Sequence, residues 1–330
     1  MWEICGHTLS RGEKKQAILD TGIEGYRLPA TMICGKEEGK TVVVTACIHG
    51  DEYPGTAAVI RLARKLEAQE VKGNLLFIHC VNMGGFWGRS RVLPEDGFNL
   101  NSDYPGKAEG TPGERLAFWF IQKIFPGADF ILDLHSGSPM EPLTPCLFFP
   151  KAEKVRQTSL TAAMALDVPY LIESSSSKGE YGYAANYFDV PGLLLERGHS
   201  GLCPEEWIEA YRRDICRLLE HLEMYAGEKT CEKPEETETD EKTGKNLKNE
   251  TTCEKKIITK AVYLEAEEQG LWYPAVFEGC RVQKGQLLGH IEDFFGNVQK
   301  EYRAEMDGIV FYYTGSLAVK KGSSLAAYGA

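Results

Sequence analysis

The chain reads as an α/β protein with a mainly parallel sheet, followed by a small all-β module. Three observations predict this. Over residues 1–225, short apolar runs rich in β-branched residues alternate with stretches of helical period, the rhythm of strands joined by crossover helices. The apolar runs lack polar alternation, as expected of strands covered on both faces. Over residues 257–330 the rhythm changes to short runs punctuated by Gly270, Gly279, Gly285, Gly296, Gly308, Gly315 and Gly322, which suggests short strands and tight turns.

The first strong strand is Thr41–Cys47, bounded by Gly39 and Gly50, and a second spans Asn74–Cys80 after Gly73. Phe130–Leu134 and Gly192–Glu196 are further candidates. Between them, Pro54–Glu70 places Ala58, Leu62, Lys65 and Leu66 at helical spacing. Pro54 stands near the start, where a missing N–H costs little. Gly113–Phe125 and Glu205–Tyr225 are expected to be helices as well. Residues 226–256 carry nine acidic residues and seven lysines with almost nothing apolar. Such a segment cannot bury enough surface to offset its ordering entropy, and it is expected to be a charged linker or surface insertion. In the last region Ile257–Thr259, Gly285–Ile291 and Gly308–Tyr313 are expected strands. The division is therefore a catalytic-sized domain at 1–225, a linker at 226–256 and a β module at 257–330.

Bulk properties narrow the function classes. A net charge of −11 repels phosphate backbones and argues against a nucleic-acid partner. The first residues lack the basic and apolar regions of a signal peptide. No apolar run approaches the roughly 18–20 residues that cross a bilayer, so no membrane partner is expected. The ten cysteines are scattered with no CxxC pair. A cysteine-built zinc site is thereby disfavoured, and a reducing, cytoplasmic location is the expectation.

The chemistry concentrates at strand ends. His49-Gly50-Asp51-Glu52 follows the first strand directly, and an imidazole and a carboxylate at i and i+3 in such a turn can face one ion. Alone, that pair is a weak signal. Asp133-Leu134-His135-Ser136-Gly137 places another histidine at the end of an apolar strand, where open α/β sheets bind ligands. Together they form a His-Glu-His set with a coordination position left for water, the layout of a catalytic rather than a structural zinc site. Asp133 is a candidate to support a ligand from behind. A third strand ends in Glu196-Arg197-Gly198, where a carboxylate suits a general base, though an arginine-paired structural glutamate fits the same pattern.

These motifs, in this order, resemble the succinylglutamate desuccinylase/aspartoacylase family, a branch of the zinc carboxypeptidase-like fold. The stretch 82–106 adds to the resemblance. Arg91, Pro94, Asp96-Gly97 and Asn99-Leu100-Asn101-Ser102-Asp103-Tyr104-Pro105-Gly106 look like a degenerate form of the family's R…P…DG.DLNR.FPG block. The resemblance covers about residues 40–225. It implies a mixed sheet flanked by helices and one Zn2+ per chain held by His49, Glu52 and His135. It also implies hydrolysis of an amide bond in a small N-acyl amino acid or related compound, by Glu196-assisted attack of zinc-bound water. Arg91 would polarise the scissile carbonyl and Asn101 would help bind a substrate carboxylate.

One departure stands out. Ser102 replaces the arginine of DLNR, and a hydroxyl cannot supply a bidentate, charge-assisted contact to a carboxylate. Either the substrate lacks that carboxylate or another arginine reaches it, with Arg89 and Arg197 as candidates. His199, three residues from Glu196, and Tyr181 and Tyr183 before it are further candidates for substrate contact. The alternatives on the same motifs are a metallocarboxypeptidase acting on short peptides and a zinc-binding protein without turnover. The C-terminal region resembles the biotinyl/lipoyl-like module of many family members, but Phe294-Phe295 stands where a carrier domain presents its lysine. The module is expected to cap the active site or help assemble a homo-oligomer.

Overall fold

The computed structural model describes residues 1–225 and 254–330. The linker expected at 226–256 lies outside the described residues except for its last three.

A short hairpin of β1 (Trp2–Ile4) and β2 (His7–Leu9) leads into β3 (Glu13–Asp20), β4 (Arg27–Cys34) and β5 (Glu37–Ala46). Then come α1 (Pro54–Lys65), β6 (Lys72–Ile78), α2 (Met83–Gly88), α3 (Pro112–Lys123), β7 (Phe130–His135) and β8 (Cys146–Pro150). The first part closes with α4 (Glu153–Ala165), β9 (Tyr170–Ser174), α5 (Glu180–Tyr187), β10 (Gly192–Glu196) and α6 (Glu205–His221). The next strand, β11 (Lys256–Ile258), corrects the expectation for Ile257–Thr259. It pairs parallel to β9 and forms the edge of the large sheet, outside the module.

That sheet has nine strands in the order β11-β9-β8-β10-β7-β5-β6-β4-β3. Parallel pairing runs through its centre, and β8 meets β10 antiparallel, as β4 meets both β3 and β6. The sheet is therefore mixed. Both faces are covered, so side chains alternate between two cores instead of between core and water. Val42, Val44, Phe130, Leu132 and Leu134 join Ala58, Leu62, Ile215 and Leu219 of α1 and α6 on one face. Val43, Leu76, Ile131 and Leu194 join Leu116, Phe120 and Ala184 of α3 and α5 on the other. This second face carries the chemistry.

Local signals explain the helix ends. In α3 the Thr111 hydroxyl accepts from Glu114 N–H while the Glu114 carboxylate accepts from Thr111 N–H, a capping box with Pro112 in the first turn. α1 stops at Lys65, short of the expected Glu70. The ammonium of Lys14 binds the carbonyl oxygens of Arg64 (3.0 Å) and Leu66 (2.7 Å), satisfying acceptors that a further turn would have used. A short 3-10 turn, 68–70, follows instead.

The module comprises β12 (Ala261–Glu265), β13 (Gly270–Pro274), β14 (Arg281–Val282), β15 (Leu287–Glu292), β16 (Val298–Arg303), β17 (Gly308–Tyr313), β18 (Ala318–Val319) and β19 (Ser324–Gly329). They form two four-stranded sheets, β12-β19-β17-β14 and β16-β15-β13-β18. Trp272, Leu288, Ile291, Val310, Leu325 and Tyr328 fill the space between the sheets. The hairpin β15–β16 turns at Phe294 and Phe295, which are 86% and 90% exposed. On the other side Phe311 and Ala327 join the second core. The loop before β8 also hydrogen-bonds to β17, with Thr144 N–H donating to Phe311 O (2.8 Å) and Tyr313 N–H to Pro142 O (3.2 Å). The module thus forms a wall beside the strand ends of the large sheet.

Candidate metal centre and active site

His49 and Glu52 lie in the turn between β5 and α1, and His135 is the last residue of β7, a strand paired directly with β5. Gly50 is required here by close approach, because a Cβ at that position would run into the backbone of Gly85. His49, Glu52 and His135 are all buried. One potential ligand atom from each lies within 4.8 Å of the other two. Nδ1 of His49 is 2.7 Å from Glu52 Oε1, Nδ1 of His135 is 3.0 Å from Glu52 Oε2, and the two Nδ1 atoms are 3.1 Å apart.

This donor set fits a divalent cation. Two imidazole nitrogens and a carboxylate face a common point, and zinc accepts this combination. Burial lowers the pKa of His49 to about 4, with Arg91 adding to the effect against Glu52, so its imidazole is neutral and able to coordinate. Burial acts in the same direction on His135, but Asp133 and Glu52 outweigh it and favour positive charge there. Burial pushes Glu52 up as well, yet His49 and His135 hold it below the ordinary carboxylate range. The ring nitrogens facing away from the common point are both held. His135 Nε2 is 2.9 Å from Asp133 Oδ2, and His49 Nε2 is 3.1 Å from Asn99 Oδ1. Such partners fix the tautomer that presents Nδ1 to a metal. Asp133 can reach His135 because i and i+2 share one face of a strand.

Arg91 reaches the cluster from the loop after α2. Its Nη1 lies 3.1 Å from Glu52 Oε1, 3.0 Å from Ser138 Oγ and 3.1 Å from Glu141 Oε2. Ser138 and Glu141 arrive on a loop that folds back at Gly137, where a Cβ would collide with the Glu141 carbonyl. Glu196 ends β10 in register with His135. Burial raises its pKa to about 8, with Glu52 and Glu141 adding to the rise and His135 and Arg91 opposing it. Its Oε2 is buried and has no hydrogen-bond partner among the described residues.

Glu196, Arg91, Asn101 and Tyr181 line one inner cavity of about 170 Å3, which Tyr263 and Tyr312 of the module complete. Arg91, Glu141, Ser176, Tyr263 and Tyr312 also line an outer cavity of about 720 Å3, together with Ser102 and Glu265. The two cavities therefore share a wall of five residues, Arg91 among them.

The remaining sequence candidates lie elsewhere. Arg89 caps α2 in a left-handed conformation, is exposed and lines neither cavity. Arg197 turns to the far side of β10, where its Nε binds Asp214 (2.5 Å) and its guanidinium reaches the Asp167 carbonyl. An alternating strand sends Arg197 away from Glu196, and Arg89 at the end of α2 is exposed. His199 packs against Trp207 with ring centroids 4.9 Å apart and lines neither cavity. Tyr183 joins Tyr104, Phe125 and Tyr187 in an aromatic cluster. The residues missed from sequence are Asn99, Ser138, Glu141, Tyr263 and Tyr312. Only Asn99 had a usable signal, its place in the block of residues 82–106.

The model of the succinylglutamate desuccinylase/aspartoacylase catalytic domain matches residues 38–222. The chain belongs to this family. It is 28% identical over 306 residues to the N-alpha-acetyl-L-2,4-diaminobutyric acid deacetylase of Halomonas elongata, covering 91% of this chain and 84% of that one. A product-bound structure of the ectoine utilization protein EutE (DoeB) from Ruegeria pomeroyi is similar over 98% of this chain and 97% of its own, with a TM-score of 0.80 and 25% identity. A succinylglutamate desuccinylase/aspartoacylase from Rhodobacter sphaeroides matches at a TM-score of 0.74 and 27% identity, covering 92% of this chain and 89% of that one. The mixed α/β fold is shared with these two solved structures. Among the described residues no helix is long and apolar enough to cross a membrane.

Proposed function

We propose that this family member is a zinc-dependent deacylase that hydrolyses the amide bond of a small N-acyl amino acid. The observation that carries the reading is the convergence of His49, Glu52 and His135 beside a cavity lined by Glu196 and Arg91. The three ligands would hold one Zn2+. When bound, the ion supplies Lewis acidity toward water and the scissile carbonyl. Glu196 takes a proton from the attacking water and returns it to the leaving nitrogen, a role its Oε2, without a partner among the described residues, can fill. Arg91, fixed by Glu52, Ser138 and Glu141, stabilises negative charge developing on the carbonyl oxygen. Asn101 contacts the amino-acid part of the substrate, and Tyr263 and Tyr312 shield it from solvent.

The lining charges narrow the substrate. Among the described residues, Glu141, Glu196 and Glu265 line the cavities against the single cation Arg91, and Ser102 stands in place of an arginine. That balance disfavours a dicarboxylic substrate and suits an acylated diamino acid, the class named for the Halomonas elongata relative. The test is hydrolysis by the zinc-loaded protein of N-acetyl-2,4-diaminobutyrate, N-acetylaspartate, N-succinylglutamate and short peptides. The acylated diamino acid should be cleaved fastest. Preference for peptides would replace this reading with a carboxypeptidase. No hydrolysis of any of them would sink it.

A further inference from the structure

Behind the His-Glu-His cluster lies a buried chain of polar groups that the proposed chemistry does not use. Thr45 precedes the His49 turn on β5, Asp133 lies two residues before His135 on β7, and Glu180 opens α5 above them. All three are 0% exposed. The Thr45 hydroxyl oxygen is 3.2 Å from Asp133 Oδ1 and 3.2 Å from Glu180 Oε1. The other oxygen of Asp133 meets His135 Nε2 at 2.9 Å. The other oxygen of Glu180 has no partner among the described residues.

Proton counting decides the charge state. A threonine hydroxyl carries one proton, so it cannot donate to two ionised carboxylates at once. With both ionised, one close contact would be repulsive, and Glu180 Oε2 would be a buried anionic oxygen without a donor, a costly arrangement. Protonating either carboxyl gives every proton one acceptor, but Asp133 also receives His135 Nε2 whereas Glu180 Oε2 has no partner among the described residues, so the proton belongs on Glu180. Glu180 O–H donates to Thr45, Thr45 O–H to Asp133 Oδ1, and His135 Nε2–H to Asp133 Oδ2. Nδ1 is then the ring nitrogen of His135 that faces Glu52 and His49. The helix end at Glu180 favours an anion. Burial first, and Asp133 second, outweigh that and the opposing influences of Thr45 and His135, holding its carboxyl well above the ordinary range.

We propose that Glu180 is a neutral carboxylic acid and a positioning residue, orienting Thr45 and Asp133 so that His135 presents Nδ1 to the metal. The proposal rests on the metal reading of the preceding subsection and extends it through Asp133 and Thr45 to Glu180.

The direct test is an infrared difference spectrum between Glu196→Gln and Glu196→Gln/Glu180→Gln, a pair in which the raised carboxyl of Glu196 is absent and that of Asp51 cancels. A protonated-carboxyl band lost with Glu180 is expected at neutral pH, and its absence would overturn the proposal. The second test is zinc affinity by competition with a chromogenic chelator. Glu180→Gln keeps a donor toward Thr45 and should stay within about threefold of the parent. Glu180→Leu should weaken binding about tenfold, the lower end of the range for groups that support metal ligands. Parent-like affinity in Glu180→Leu, or a glutamine variant as weak as leucine, would overturn the role. Should Glu180→Leu fail to fold, Thr45→Ser and Thr45→Val replace it, with serine retaining affinity and valine losing it. Equal affinities in that pair would also overturn it. The two readings fail separately. An acid band without any zinc binding sinks the metal centre and leaves Glu180 neutral, whereas zinc binding without the band sinks only the role of Glu180.

Discussion

The two ends of the active-site cleft are built differently. At the proposed metal end, His49, Glu52 and His135 are buried and each is held by at least one neighbour. His49 is fixed by Asn99, His135 by Asp133, Glu52 by Ser136 N–H (3.0 Å) as well as Arg91. The Tyr211 hydroxyl even secures the backbone where β7 ends, lying between the carbonyl oxygens of His135 and Arg197. At the substrate end, the walls come from loops and from a separate β module, and Tyr263 and Glu265 there are exposed. A metal requires several atoms placed at once, and rigid strand ends supply that precision. A substrate pocket needs only shape and a few polar groups, which loops and an added module can supply and vary.

That contrast implies a gradient of mutational effect. The largest loss is expected at the ligands. His135→Ala or His49→Ala should abolish stoichiometric zinc binding and bring hydrolysis to background, as should removal of zinc with a chelator. Metal analysis and activity on the same samples check this together. An alanine variant that keeps both metal and rate would break the assignment of the metal end.

Next comes Glu196→Gln, which keeps the shape of the site and removes the proposed base. The rate should fall by about 10²–10⁴-fold, with zinc content unchanged. In the wild type, activity should rise with pH along a limb lying above the ordinary glutamate range of about 4.3, because burial favours the protonated, inactive form. The same shift has a stability consequence of opposite sign. A carboxyl whose pKa is raised by folding contributes stability below its unfolded value, and that contribution is lost as pH rises through about 8. Metal-stripped Glu196→Gln should therefore melt higher than the metal-stripped wild type above pH 8, with the gap closing toward pH 4. Thermal melts across that range check it.

Arg91→Met should cost about 10²–10³-fold in kcat, the usual loss when one donor to a developing oxyanion is removed. It also strips Glu52 and Glu141 of a shared cation, so a modest loss of zinc affinity should accompany it. If KM alone rose, Arg91 would belong to the substrate end instead.

The same gradient governs what could be read from the sequence. The gathering of His49, Glu52, His135 and Glu196 was legible because each closes or follows an apolar strand, and strands covered on both faces leave a plain run in the sequence. The strands β5, β6, β7 and β10 were legible for the same reason. β3 and β4 were not, since β3 is a charged edge strand and β4 contains Pro29, which argues against a strand. Ser138, Glu141, Tyr263 and Tyr312 act only through tertiary contacts across the cleft, and nothing local marks them. Thr45 and Glu180, 135 positions apart and in contact, are the extreme case. β11 went to the wrong sheet because a short apolar strand carries no signal for its partner.

The smallest effects are expected at the module wall, and they test whether it belongs to the active site. Tyr312 is in bridge register with Leu143, on the strand of the module that meets the loop bringing Glu141 to Arg91. Tyr312→Phe removes one hydroxyl from the cavity without disturbing β17, and should raise KM about fivefold, the equivalent of about 1 kcal/mol for one hydrogen bond. kcat and zinc content should stay near wild type. Glu265→Gln, at the outer cavity, should weaken a diamino-acid substrate by less than that, because an exposed charge is screened by water and salt. It should leave a neutral N-acetyl amino acid unaffected. Steady-state kinetics on the two substrates separate these outcomes. If Tyr312→Phe lowered kcat by orders of magnitude instead, the boundary between the two ends would have to move, and the module would count among the groups that touch the reacting atoms.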